Sequence, residues 1–124
     1  MAYAPVLDLS PLAGLYTLRT LSLSQTQVMD LEPLASLTAP QHLDLSYTPV
    51  VDLSPLTELT SLLSLDLLET QVKILRPLAG LSTLTHLCLW NTPVEDLRPL
   101  VGLPHLTVQP EKLQDRLMIL RQEP

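Results

Sequence analysis

A repeat constrains this chain more than any other feature. Val6, Val28, Val50, Val72 and Val94 stand 22 residues apart, and each opens a similar phrase. The phrases read VLDLSPLAGL, VMDLEPLASL, VVDLSPLTEL, VKILRPLAGL and VEDLRPLVGL. Pro11, Pro33, Pro55, Pro77 and Pro99 keep the same step, as do Thr26, Thr48, Thr70 and Thr92. A fixed period with no insertion means one small unit copied along the chain. Such a unit cannot bury its own apolar face, so neighbouring units must stack.

Leucine supplies the core. It fills 33 of the 124 positions, within an apolar content of 46%. That content excludes a disordered chain. Cys88 is the single cysteine, so no disulfide staple is available. The 12 prolines and the spread of charges interrupt every apolar run well short of a bilayer span, and no membrane partner is expected. A formal charge of −6 disfavours nucleic acid, whose binding surfaces are basic. The opening Met1-Ala2-Tyr3-Ala4-Pro5 has neither a basic nor a long apolar stretch, so no secretory leader is expected. With a lone thiol, this points to the cytoplasm.

Two patterns alternate within the unit. Leu21 and Leu23, Leu43 and Leu45, Leu65 and Leu67, and Leu87 and Leu89 alternate with other residues, the period of a strand. In the phrases, leucines recur every third residue, as at Leu9, Leu12, Leu15 and Leu18, which with an early proline predicts a 3-10 turn. Pro11 and its equivalents suit the first helical position. Asp8, Asp30, Asp52 and Asp96, with Ser10 and Ser54, are expected to cap those turns, and Ile74 breaks the aspartate series. The threonine row is expected to hydrogen-bond loop backbone as an internal ladder. Gly14, Gly80 and Gly102 are expected to relieve crowding between leucines.

The second halves of the units read LYTLRTLSLSQT, LTAPQHLDLSYT, LTSLLSLDLLET and LSTLTHLCLWNT. This resembles the L-x-x-L-x-L-x-x-N signature of leucine-rich repeats, with threonine at the asparagine position. The 22-residue step is similar to that of bacterial internalin-like repeats. The resemblance implies an α/β solenoid: a right-handed curved coil with a parallel sheet on the concave face, short helical turns on the convex face, and no enzymatic activity. It also implies a bacterial source and a protein-binding role. A second reading is a sensor or structural segment of a larger signalling or nucleotide-hydrolysing protein. The absent leader argues against display on a cell surface, while delivery into a host as an effector stays open.

The ends differ from the middle. Gln109 occupies a position that is leucine in all four earlier units, which places the end of the solenoid at residues 1–109. Within 110–124, Leu113, Leu117 and Leu120 recur at helical spacing, and the segment is read as a capping helix. At the other end, the strand near Thr20 to Ser24 would be an open parallel edge that invites self-association.

Stacking at this period places outward residues in rows: Thr20, His42, Ser64, His86; Ser22, Asp44, Asp66, Cys88; Ser24, Ser46, Leu68, Trp90; and Gln25, Tyr47, Glu69, Asn91. Packing does not dictate these residues, so partner choice can be written there. Trp90, Leu68 and Tyr47 are the expected apolar anchors. Asp44, Asp66 and Glu69 would select a basic patch on a protein partner, and His42 and His86 would tune affinity with pH. The two histidines lie two strands apart, about 10 Å, too far to share a zinc ion. His86 and Cys88 share a face, but an open sheet offers no oxyanion hole and no phosphate-binding glycine loop. No cofactor, metal or catalytic residue is expected.

Overall fold

The computed structural model describes residue 9 and residues 17–122. Five three-residue strands, β1 (Thr20–Ser22), β2 (His42–Asp44), β3 (Ser64–Asp66), β4 (His86–Cys88) and β5 (Thr107–Gln109), form one parallel sheet in chain order. The repeat sets the register: Leu21, Leu43, Leu65 and Leu87 are paired in series. Each crossover passes through a 3-10 turn, at Glu32–Leu34, Ser54–Leu56, Arg76–Leu78 and Arg98–Leu100. Helix α1 (Glu111–Arg121) follows the last strand. Parallel crossovers of this kind are right-handed.

The leucine grid becomes a single core. Leu45, Leu56, Leu59, Leu62, Leu67, Leu78, Leu81 and Leu84 are fully enclosed, and the valines that open each phrase join them from Val28 onward. Burying one such side chain stabilises the fold by about 1.5–3 kcal/mol.

The expected caps are borne out where described. Asp30, Asp52 and Asp96 each accept the backbone N–H of the first turn residue, Glu32, Ser54 and Arg98, at 2.9 Å. Ser54 is thus the capped residue and not the cap. Each proline is second in its turn, still among the N–H groups that lack helical partners. Asp8, Ser10, Pro11 and Gly14 lie outside the described residues.

Three expectations need correction. The threonine hydroxyls do not run between repeats. Thr26, Thr48, Thr70 and Thr92 each donate to the carbonyl three residues back, on Leu23, Leu45, Leu67 and Leu89, at 2.7–2.8 Å. A hydroxyl one bond from its own backbone reaches its own turn first. Gly80 and Gly102 do not relieve crowding, because a Cβ at either would meet nothing within 4 Å.

The third correction concerns Gln109. The step from Leu87 to its partner Val108 is 21 residues, so Val108 takes the core position and Gln109 pairs with Cys88 on the outward row. In earlier units the chain bulges before its strand: Thr85 and His86 both donate to the Leu63 carbonyl. In the last unit Thr107 alone donates to the Thr85 carbonyl, and the bulge residue is gone.

Helix α1 then closes the sheet. Leu113 and Leu117 are buried and Leu120 packs against the core. Gln114 Oε1 accepts the Val108 N–H at 2.7 Å, satisfying an edge group that would otherwise seek a sixth strand. The Arg116 and Arg121 guanidinium groups donate to the Glu95 and Leu103 carbonyls.

Candidate protein-binding face

The outward rows are assembled by strand register. His42 pairs with Ser64 and then His86, and Asp44 pairs with Asp66 and then Cys88. Just after each strand the chain turns out of the sheet at a left-handed residue: Gln25, Tyr47, Glu69 and Asn91 have φ of 60°, 57°, 60° and 56°. Only asparagine is at ease there. Backbone bonds hold the others: Gln25, Tyr47 and Glu69 donate N–H to the Ser46, Leu68 and Trp90 carbonyls at 2.9–3.0 Å. The parallel ladder therefore continues through the turn and imposes its geometry on the side chains that follow.

The strand-end row works structurally as well. Asp44 Oδ1 accepts both the N–H and the hydroxyl of Ser46, at 2.9 and 2.6 Å. Asp66 Oδ1 accepts the Leu68 N–H, at 3.0 Å, with no hydroxyl from that residue. Each aspartate closes the turn that follows it, an Asx turn. Cys88, in the same row, receives the Trp90 N–H. Burial pushes the Cys88 thiol above its ordinary range. The charges of Asp66 and Asp44 and a hydrogen bond to Asp66 push the same way, against the Trp90 N–H. This thiol is the opposite of an activated nucleophile. Beside it, His86 Nδ1 is bonded to the Thr85 hydroxyl at 2.9 Å, and His42 Nδ1 to the Ser64 hydroxyl at 2.7 Å. Among the described residues no group of three metal-ligating side chains comes together.

The structure distributes the expected site residues over three places. Trp90 is 48% exposed and walls a hollow with Gln109, Pro110 and Gln114, so the C-terminal segment abuts it without covering it. Tyr47 is 50% exposed and faces a side groove with Met29, Pro49 and Glu69. Asn91 donates to Glu69 at 2.8 Å. Leu68 is only half-buried between them. Asp66 and His86 line a third depression with Ser64, Cys88, Thr107 and Gln109. His42 and Asp44 stand on the sheet beside it. Sequence reasoning missed Thr107 and Gln109, because the short last step shifts them. It also missed Met29, which the grid places beside Val51; both are exposed, at 62% and 53%.

A family described as Leucine Rich repeats (2 copies) matches residues 16–58. The structure is similar to an internalin C2 from Listeria monocytogenes, with a TM-score of 0.75 and 36% identity. The chain is a leucine-rich-repeat protein. That similarity covers 83% of this chain and 46% of the internalin C2 chain. A Listeria monocytogenes internalin inlF is 34% identical at a TM-score of 0.79, over 83% of this chain and 30% of that one. The leucine-rich-repeat chain thus spans less than half the length of either internalin. No curated protein sequence matches it significantly. Leucine-rich repeats generally mediate protein–protein interaction, through the extended surfaces that stacked repeats create. No helix among the described residues is long and apolar enough to cross a membrane.

Proposed function

We propose that this leucine-rich-repeat protein is a non-enzymatic module that binds a protein partner through its concave sheet face. The observation that carries the reading is the composition of that face. Its rows hold exposed Trp90, the anionic Asp44 and Asp66, and no lysine or arginine, and exposed Tyr47 and the anionic Glu69 flank it along the side groove. Large aromatic side chains are typical hot spots, and an uncompensated negative face selects a basic partner. Leu68 extends the apolar contact, and His42 and His86 flank the acids. The raised Cys88 thiol favours binding over catalysis at this face. The reading carries a cytoplasmic location with it.

The test is capture of a partner by the wild-type chain, followed by binding measurements on two variants. Trp90→Ala combined with Asp66→Asn should weaken binding at least about tenfold, equivalent to 1.4 kcal/mol. The melting temperature should hold, because asparagine can still accept the Leu68 N–H. Met118→Ala on the outer face of α1 should bind normally. The reverse pattern would move the interface to α1. A second reading, a repeat segment of a larger signalling protein, draws support from the internalins, of whose chains the matched segment covers only 46% and 30%. Coding sequence upstream of Met1 would favour it.

A further inference from the structure

A depression of about 220 Å³ opens on the sheet over β3, β4 and β5. Its floor is the Leu65 and Leu87 positions, and its walls are Ser64, Asp66, His86, Cys88, Thr107 and Gln109. It is smaller than the roughly 300–1,000 Å³ of a small-molecule site, but large enough for one side chain. It exists because the last unit lost a residue. Short Thr107 stands opposite His86, and Gln109 falls on the outward row beside Cys88.

The walls hold one carboxylate and no lysine or arginine. Ser64, Thr107 and Gln109 offer neutral acceptors as well as donors, Asp66 carries the negative charge, and the His86 imidazole, bonded at Nδ1 to the Thr85 hydroxyl, is the one basic group facing it. Asp66 is also less occupied than its neighbour. Asp44 is held by the N–H and hydroxyl of Ser46, whereas Leu68 at the equivalent place supplies an N–H alone. The other contact of Asp66 is the Cys88 thiol, a weak donor. Asp66 itself lines the depression, and Asp44 pairs with it one strand away.

We propose that this depression is a socket for a single cationic side chain, lysine or arginine, presented by the bound protein. The proposal rests on the concave-face reading and names its electrostatic anchor. Leu68, anomalous as an outward leucine, gains a second role here, because it leaves the Asp66 carboxylate available.

The test uses the full chain, labelled with nitrogen-15, and three neutral-backbone probes: N-acetyl-arginine amide, N-acetyl-lysine amide and N-acetyl-norleucine amide. The two cationic probes should shift the amides of Ser64, Asp66, His86, Cys88 and Gln109, saturating on the order of 10 mM, the range a single charge-assisted contact supports. The two responses compared show which cation fits better. Asp66→Asn should cut the response at least threefold while leaving the rest of the spectrum in place. The norleucine probe should produce no shifts. Equal shifts from norleucine, an undiminished response in Asp66→Asn, or shifts spread evenly over Asp30, Asp52 and Glu69 would each overturn the socket. If the socket fails while Trp90→Ala still abolishes partner capture, the concave face stands without it.

Discussion

Among the described residues four 3-10 turns cross the back of the solenoid, and one differs from its siblings. At Glu32–Leu34, Ser54–Leu56 and Arg98–Leu100 an aspartate caps the first N–H. At Arg76–Leu78 the same place holds Ile74, 69% exposed. The backbone nevertheless barely changes. The leucine before each turn has φ and ψ of −94° and 5°, −94° and 3°, −101° and 3°, and −95° and 0°. Those values lie in the sparsely allowed bridge region, so something must hold them there. In the uncapped turn the core and the turn's own backbone bonds are left to do so: Leu75 and Leu78 are as buried as their equivalents, and the Leu78 and Ala79 N–H groups still donate to the Leu75 and Arg76 carbonyls. Packing sets the shape of the turn, and the aspartate adds stability to a shape already chosen.

The sharpest way to break this comparison is to remove the packing. Leu78→Ala should destabilise the chain by about 2–5 kcal/mol, as for other enclosed leucines, measured by denaturant unfolding. Asp52→Ala in the capped sibling should cost far less, because an exposed hydrogen bond is all that is lost. Comparable losses would mean that the cap dictates the turn. Ile74→Asp tests the converse. It offers Arg76 the acceptor that its siblings have and removes an exposed apolar side chain. Stability should rise by about 0.5–1.5 kcal/mol, the net value of one hydrogen bond. A fall would show that Ile74 makes a contribution that the capping argument omits.

These turns also show what the sequence could reveal. The inward leucines, the register of the first four strands and the aspartate caps were legible because each recurs in most units, and a periodic signal averages over local accident. The one-residue shortening before β5 was not. Gln109 in a leucine position marks a break, but it reads as the end of the repeat and not as a slip that moves Gln109 to the outward row. Tyr47 and Trp90, expected as apolar anchors, are both exposed, yet the structure parts them. Their rows were drawn as if the strands continued straight. The left-handed residue after each strand turns Tyr47 toward the side groove, and no hydrophobic period encodes that bend.

Acid should erase part of the difference between capped and uncapped turns. The Ser54 N–H and hydroxyl hold the Asp52 carboxyl below its ordinary range. A carboxyl with a lowered folded pKa contributes stability that is present above the unfolded value and is lost as pH falls through the folded one. Asp52→Asn keeps an acceptor but cannot titrate. The wild-type advantage over Asp52→Asn should therefore be present near about pH 6 and shrink as pH falls below the ordinary carboxylate range. Melting curves for the pair across that range decide it. An advantage unchanged at the acid end would mean that the charge does not matter to the cap.

The smallest expected effect lies two residues beyond the uncapped turn. Gly80 occupies the place of Ser36 and Glu58, which shows that the fold accepts a side chain there. A Cβ at Gly80 would enter open space. Alanine should then leave the folded chain unchanged and restrict only the unfolded one. Gly80→Ala should stabilise by about 0.4–1 kcal/mol, through the entropy that the unfolded chain no longer has to lose. Gly102→Ala, equally open, should match it. If both instead lowered the melting temperature, crowding between leucines would return as the reason for glycine. The uncapped turn would then owe its shape to a tighter fit than its neighbours show.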